Sequence, residues 1–384
     1  MKLAYISPSV LPSRTANSVH VVMQCDALRQ QIDELVLYAK RALPEREKLQ
    51  SGIDSTYGQK LCEVRLVTFW SRSNRGDNLR IALLSLWDMF KNDWPDVILS
   101  RNLYASFIIA VIIRRPILFE THQLEQGFRK WLQRCILLKP WVITVVISDM
   151  LKQSLNKHHG IIAPRSIVLH DAAPSNVEPI PKDKRRTSLM EVVPQSIGNW
   201  DGVCGYFGHL YPGRGVEIIE DMANIRPKVL FLLFGGNEAD LDYRRESNKK
   251  SNVIYVGYVE HPIAQKAMKS VDALLMPYQK SVSIGQSGHD TARWMSPMKM
   301  FEYMSSGVPI ISSDLPVLRE VLEHKNNALL VSPEKSDEWV LALDLLLNDS
   351  SFANHLGSSA HDDYRNKHTW AIRAKRILEA ATLL

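Results

Sequence analysis

The feature that most constrains this chain is a repeated alternation of short apolar runs of strand length with stretches of helical periodicity. In the first half the runs are Leu3 to Ile6, Leu35 to Tyr38, Val64 to Phe69, Val97 to Leu99, Ile117 to Phe119, Val142 to Ile147 and Ile167 to Leu169. Between the first two, Val21, Cys25, Leu28 and Ile32 recur at spacings of four, three and four, which marks one face of a helix. Continuously apolar strands separated by helices predict a parallel sheet covered on both sides.

Residues 172–201 break the pattern. Pro174, Pro179, Pro181, the basic run Lys182 to Arg186, Pro194 and Gly198 show little periodicity and read as a linker or exposed loop. The basic run suits a phosphate-rich partner or, more commonly, a solvated loop. A second alternation follows, in Val203 to Phe207, Val229 to Phe234, Val253 to Val256, Ala273 to Met276, Pro309 to Ser312 and Ala328 to Val331. The predicted fold is α/β, with two tandem Rossmann-like doubly wound domains facing a cleft between the carboxyl ends of their sheets. The expected division is a domain at 1–180, a linker at 181–201, a second domain at 202–362 and a C-terminal helix at 363–384 packing back on the first.

A length of 384 residues, 45% hydrophobic and 23% charged, suits two globular domains with a large core. The formal charge of +6 and a pI near 9.0 fit phosphorylated ligands, an anionic membrane surface or nucleic acid. Cys25, Cys62, Cys135 and Cys204 lie far apart, which suggests neither a disulfide framework nor a thiolate zinc site, and they read as reduced, buried cytosolic thiols. Met1 to Pro12 reads as a first strand rather than a signal peptide. The longest apolar run, Phe107 to Ile113, stops at Arg114 and Arg115, short of the roughly 18–20 residues that span a bilayer.

Two segments carry chemistry. In Ser296-Pro297-Met298-Lys299-Met300-Phe301-Glu302-Tyr303-Met304-Ser305-Ser306-Gly307, Ser at the N-cap, Pro at the first helical position and Gly past the end define a short helix. Met300, Phe301 and Met304 share one face, with Lys299 and Glu302 opposite. One reading is an exposed helix with a routine Lys–Glu pair. The other is an anion site, in which the helix start and Lys299 face a phosphate while Glu302 accepts from a sugar diol. The second segment, Gly205-Tyr206-Phe207-Gly208-His209-Leu210-Tyr211-Pro212-Gly213-Arg214-Gly215, is a strand feeding a glycine-rich turn that opens a helix, with Arg214 able to reach a phosphate. Its glycines have neither dinucleotide nor P-loop spacing, so a plain tight turn fits equally.

Together the two segments resemble the donor-binding domain of family 4 retaining glycosyltransferases (glycosyl transferases group 1), which have the GT-B fold. The resemblance extends through Gly235-Gly236, Asn252 to Tyr258, Val271 to Tyr278 and Val308 to Asp314, and covers roughly 203–345 closely. The first half is similar more loosely: Ser13 to Val21 replaces the glycine pair often found after the first strand, and Phe119-Glu120-Thr121-His122 matches a strand end that places a histidine in the cleft.

The resemblance implies a catalytic set of His122, Arg214 and Lys299, with both cations neutralising a nucleotide diphosphate. The implied donor-binding set is Gly208, His209, Ser296, Pro297, Met298, Glu302 on the ribose, Tyr258, Asp290 and Arg293. Asn17, Ser18 and Glu120 fall on the acceptor side. Two positions depart from the family pattern: His209 stands where an arginine is common, and Trp294 stands where a second glutamate often reaches the transferred sugar, a contact Asp290 or Arg293 could supply. The implied activity is transfer with retention from a UDP- or GDP-sugar to an acceptor hydroxyl, in cell-surface polysaccharide or lipid-linked glycan synthesis. His122 would orient sugar or acceptor. No cofactor beyond the nucleotide-sugar substrate is implied. No metal is expected, because the diphosphate charge falls to Arg214, Lys299 and the helix start, and Asp240-Leu241-Asp242 lies in a predicted helix.

Competing readings are a sugar-nucleotide epimerase of related architecture and a catalytically silent nucleotide-binding scaffold, of which Trp294 and His209 would be the signs. Nucleic-acid binding fits poorly, since the basic residues are dispersed. Phe128 to Leu132, Arg134 and Ile136 to Lys139 mix basic, aromatic and apolar residues as interfacial helices do, which makes an anionic membrane surface a candidate partner of a cytoplasmic, peripheral protein. The same pattern suits an amphipathic helix packed on the first sheet. A closing cleft would hinge near 172–201 and 365.

Overall fold

The computed structural model describes the chain except for residues 59, 60, 62, 73, 74, 162–164, 197 and 282–291. Cys62 and Asp290 therefore lie outside the described residues. The chain divides into two compact units, Met1–Asp171 with Trp370–Leu384, and Ala172–Thr369.

The first unit holds a seven-stranded parallel sheet in the order β3-β2-β1-β4-β5-β6-β7, built from β1 (Lys2–Leu11), β2 (Glu34–Arg41), β3 (Val64–Trp70), β4 (Val97–Ser100), β5 (Ile117–Thr121), β6 (Val142–Val146) and β7 (Ser166–Val168). Every predicted run of this half coincides with a strand, apart from Ile147 and Leu169, which fall just past the ends of β6 and β7, because strands covered on both faces are largely apolar. Helix α1 (Ala16–Arg29) buries Val21, Cys25 and Leu28. Ile32, expected on the same face, falls beyond the helix end. The later helices are α2 (Lys48–Tyr57), α3 (Asp77–Lys91), α4 (Leu103–Phe107), α5 (Gly127–Leu137) and α6 (Asp149–His159). Helix α4 runs on into a π-helical stretch, Ile108–Ile113, that stops where Arg114 turns left-handed at φ 62°.

The second unit opens with α7 (Lys182–Val192) and holds a six-stranded parallel sheet, β10-β9-β8-β11-β12-β13. Its strands are β8 (Gly202–Phe207), β9 (Val229–Phe234), β10 (Val253–Gly257), β11 (Ala273–Met276), β12 (Ile310–Ser313) and β13 (Leu329–Val331). Its later helices are α8 (Val216–Ile225), α9 (Glu238–Ser247), α10 (His261–Met268), α11 (Met298–Ser305), α12 (Ser336–Asn348) and α13 (Ser350–Lys367). Trp339, Phe231, Leu233, Ile219 and Leu343 form the centre of its core.

The loop expected at 181–201 is corrected by α7. Proline 181 presets the helix start and Leu189 supplies a buried anchor. The two arginines of the basic run are engaged inside the unit, while Lys182 and Lys184 are exposed: the Arg185 guanidinium donates to the Ile180 carbonyl at 3.1 Å, and Arg186 pairs with Asp272 at 3.2 Å. Periodicity was masked because arginines share with Leu189 the task of holding α7 in place. At the far end the helical pattern breaks at His368 and Thr369, and α14 (Trp370–Ala381) packs on α1 within the first unit.

Candidate functional site

In the second unit the chain leaves β8 for β9 and later crosses to β11 on the other side. The carboxyl ends of β8 and β11 therefore mark the point where strand order reverses, the usual ligand position in such sheets. The turn after β8 is closely packed against its neighbours. A Cβ on Gly215, whose φ is +75°, would sit 1.8 Å from the Pro277 carbonyl oxygen, and one on Gly235 would sit 2.3 Å from that of Gly208. Only glycine lets these strand ends meet backbone to backbone. At Gly208 a Cβ would come within 3.1 Å of both the Lys299 ammonium and the Tyr206 hydroxyl.

Arg214 and Lys299 converge on one ring. The Arg214 guanidinium donates to the Tyr278 hydroxyl at 3.2 Å and the Tyr211 hydroxyl at 3.1 Å, and lies 5.3 Å from the Tyr278 ring centroid. The Lys299 ammonium, from the first turn of α11, lies 4.4 Å from the ring centroids of both Tyr278 and Tyr206. Among the described residues Lys299 makes no hydrogen bond or ion pair; aromatic faces are its counter-groups. Burial, then the neighbouring Arg214 charge, hold it well below the usual lysine range, against the pull of Glu302. His209 stacks on Tyr211 at 4.8 Å, and burial with both cations lowers its pKa. The arrangement is a half-buried cluster of two cations and a histidine, suited to a polyanion such as a diphosphate.

Helix α11 starts one residue later than expected, with Pro297 rather than Ser296 in the N-cap position, because Pro297 is extended at ψ 120°. Ser296 is buried, while Pro297 and Met298 are half-buried beside the open amides of the helix start. On the same helix Glu302 accepts a 2.8 Å hydrogen bond from Nε2 of His261 at the start of α10. Burial disfavours charge on His261, but the bond to Glu302 outweighs it and raises its pKa. Arg293 and Tyr258 are exposed, and Trp294 is half-buried.

The first-unit residues form a different kind of cluster. Glu120, buried at the end of β5, accepts from His122 Nε2 at 3.0 Å, from Arg373 at 2.7 Å and, through its other oxygen, from Tyr5 at 3.3 Å. Arg101 donates to Nδ1 of His122 at 3.1 Å. An arginine can only donate, so His122 is the neutral Nε2–H tautomer with both nitrogens engaged. Burial and the Arg101 charge lower its pKa to about 4 despite Glu120. Burial alone would raise the Glu120 pKa, but Arg373 and the two histidines hold it well below the usual range. His20 Nδ1 bonds Asp171 at 2.9 Å, with Nε2 3.2 Å from Glu120. Of the acceptor-side residues, Asn17 donates to the Ser9 hydroxyl at 2.7 Å, and buried Ser18 donates to the Val10 carbonyl at 2.9 Å. Both fasten the turn after β1.

His20, Glu120 and His122 bring ligating atoms within 4.8 Å of one another. Their chemistry does not fit a cation, since Arg373 and Arg101 already occupy the carboxylate and the His122 lone pair. The Asp240–Asp242 pair sits on α9, where Asn237 caps the helix and Leu241 is buried. Sequence reasoning missed His261, Tyr206, Arg101 and Arg373. His261 and Glu302 are 41 residues apart, and no local pattern links them.

Two tandem Rossmann-like parallel-sheet units, with a cationic site at the switch point of the second, define the GT-B class. The same fold occurs in Anabaena HepE, solved with UDP and with UDP-glucose; the UDP complex matches at a TM-score of 0.73 and 17% identity over 100% of both chains. Residues 201–349 match the family of glycosyl transferases group 1. Among curated proteins the chain is similar to an uncharacterized glycosyltransferase of Methanocaldococcus jannaschii, 24% identical over 45% of this chain and 43% of the relative. It is also similar to a putative teichuronic acid biosynthesis glycosyltransferase of Bacillus subtilis, 28% identical over 30% of this chain and 27% of the relative. These alignments span less than half of either relative.

Proposed function

We propose that the protein is a metal-independent, retaining glycosyltransferase that moves a sugar from a UDP- or GDP-sugar to an acceptor hydroxyl. The observation that carries this reading is the Lys299 ammonium, which meets only tyrosine faces among the described residues while Arg214 lies against one of the same rings. A polyanion placed against the Lys299 ammonium would meet the neighbouring Arg214 guanidinium as well. The UDP-glucose complex of HepE and the putative teichuronic acid biosynthesis role of the Bacillus relative support a donor of this kind and a place in cell-surface glycan assembly.

In this mechanism the bond from the sugar's anomeric carbon to the β-phosphate oxygen breaks as charge accumulates on the diphosphate. Arg214, Lys299 and the amides at the start of α11 stabilise that charge. The acceptor oxygen attacks from the leaving-group side and its proton passes to the departing phosphate. Glu302, oriented by His261, accepts from the ribose hydroxyls. His122 is neutral with both nitrogens engaged, so it orients the sugar or acceptor through its ring edge and does not serve as a base. Acceptor recognition belongs to the first unit.

A second reading, a nucleotide-binding protein without turnover, is favoured by Trp294 standing where the family often has a sugar-binding glutamate. A panel of UDP- and GDP-sugars, scored for thermal stabilisation and for hydrolysis or transfer, decides between them. Stabilisation with turnover supports the transferase; stabilisation without turnover under every acceptor supports the silent reading. Epimerised donor formed without acceptor would point to the epimerase, and no stabilisation would remove all three.

A further inference from the structure

Helices α3, α4 and α5 lie side by side in one layer on the first sheet, as the contacts of α4 with both neighbours show. Helix α3 turns Ile81, Ala82, Ser85, Leu86 and Met89 inward. Its opposite side carries Leu79, Leu83, Trp87 and Phe90, spaced four, four and three, which at about 100° per residue is one stripe roughly 80° wide. Trp87 and Phe90 are 60% and 68% exposed. On α5, Leu132, Ile136 and Leu137 face the sheet, while Phe128 and Trp131 stack at 5.6 Å and remain 68% and 51% exposed. The interfacial and the sheet-packing readings of this helix thus describe its two faces.

Large apolar side chains left in water in such number need an occupant, and the charges name it. Arg80 and Lys91 flank the α3 stripe, Arg114 and Arg115 follow the π-helical stretch that exposes Ile112, and Lys130 and Lys139 border the α5 aromatics. None of these six has a carboxylate partner among the described residues. The acidic groups of the same elements are mostly neutralised: Asp88 by Arg65 and Tyr38, Glu125 by Arg129, and buried Asp77 bonds Ser71, leaving Asp93 exposed in the turn. The Lys91 ammonium lies over the Trp87 ring at 5.0 Å and the Arg115 guanidinium over Trp94 at 5.9 Å, so cations rim the aromatics.

We infer that this α3–α5 face docks on an anionic lipid bilayer, with Trp87, Phe90, Phe128 and Trp131 entering the headgroup–acyl boundary and the basic rim meeting lipid phosphates. Aromatic side chains with a cationic border suit that boundary, where one end is apolar and the other wet. A second copy of the chain is the poorer occupant, because self-pairing would set two basic rims against each other. The inference does not rest on the donor reading.

The test is flotation of the full chain with vesicles of phosphatidylcholine, alone or mixed with phosphatidylglycerol. The chain is expected to float with the mixed vesicles, at least about tenfold more than with the neutral ones, and to be released by salt. W87S/F90S and, separately, R114E/R115E should each cut the floated fraction about tenfold while circular dichroism melting is kept. A chain that stays with the soluble fraction, variants that float like the parent, or a solution dimer that these substitutions dissociate would overturn it. An acidic protein that competes while no vesicle binds would overturn it as well. Loss of UDP-induced stabilisation with flotation retained would instead count against the donor reading.

Discussion

An ammonium that gives up part of its water and gains two tyrosine faces in return is a poorer cation than one in solvent, which is why Lys299 sits well below the ordinary lysine range. Two outcomes follow at this side chain. K299M should raise the Tm of the free protein by a few degrees, for roughly 1 kcal/mol or more of relieved desolvation, while removing stabilisation by UDP or GDP. A lowered Lys299 stabilises least where it must be charged, so a bound diphosphate raises its pKa and draws a proton. Calorimetry in a pH series from above the phosphate pKa of about 6 up to the ordinary lysine value of about 10.4 should show, within that range, a binding heat that varies with the buffer's ionisation enthalpy and an affinity that falls as pH rises. Heat independent of the buffer, or K299M melting below the parent, would contradict this. For His261 the sign is reversed. Its pKa is raised by Glu302, so the pair stabilises fully below the ordinary histidine value of about 6.5 and fades as pH rises through the raised value. H261Q, which keeps a donor without the charge, should flatten that dependence in a pH series of Tm values. Lys299 and Glu302 were legible because a proline and a glycine delimit their helix. The tautomer of His122 was not, because Arg101, which takes its Nδ1, meets it only through the sheet.

Among the elements, α11 and α14 do the most to set the clusters. Helix α11 ends at Gly307, left-handed at φ +67°, so its length and the direction of its start are fixed by local residues that a sequence displays openly. Helix α14 works through one buried contact. Arg373 reaches Glu120 at 2.7 Å and the His170 carbonyl at 3.0 Å, and neutralises a carboxylate that has no route to water. R373M leaves that charge buried with less compensation and should cost about 3–5 kcal/mol, read as a fall in Tm. UDP affinity should stay within about twofold of the parent, since the cationic site lies on the second unit. A neutral R373M would contradict the role given to this helix. Nothing local marks Arg373 or α7 for these tasks, since a basic helix face ordinarily points to water. Their partners, Glu120 and Asp272, lie far off in the chain.

For the whole molecule, the two sheets were readable because parallel strands covered on both faces leave uninterrupted apolar runs, and both sets of strands fall on those runs. The hand-over at Ala172 and Trp370 was less so: buried Tyr364 donates to the Pro174 carbonyl and Thr369 bridges Ala173, contacts that keep the end of α13 with the second unit. The cationic site is contained within that unit, on the turn after β8, the residues after β11 and the start of α11. What distinguishes it from a tight turn with a routine helix is whether it binds the phosphates of a nucleotide. Calorimetric titration of the parent, R214M and K299M with UDP and uridine, and with GDP and guanosine, measures this. One nucleoside diphosphate should bind the parent at least about a hundredfold more tightly than its nucleoside, with most of that difference lost in each variant. Equal affinity for nucleoside and diphosphate, or a difference that survives both substitutions, would contradict it.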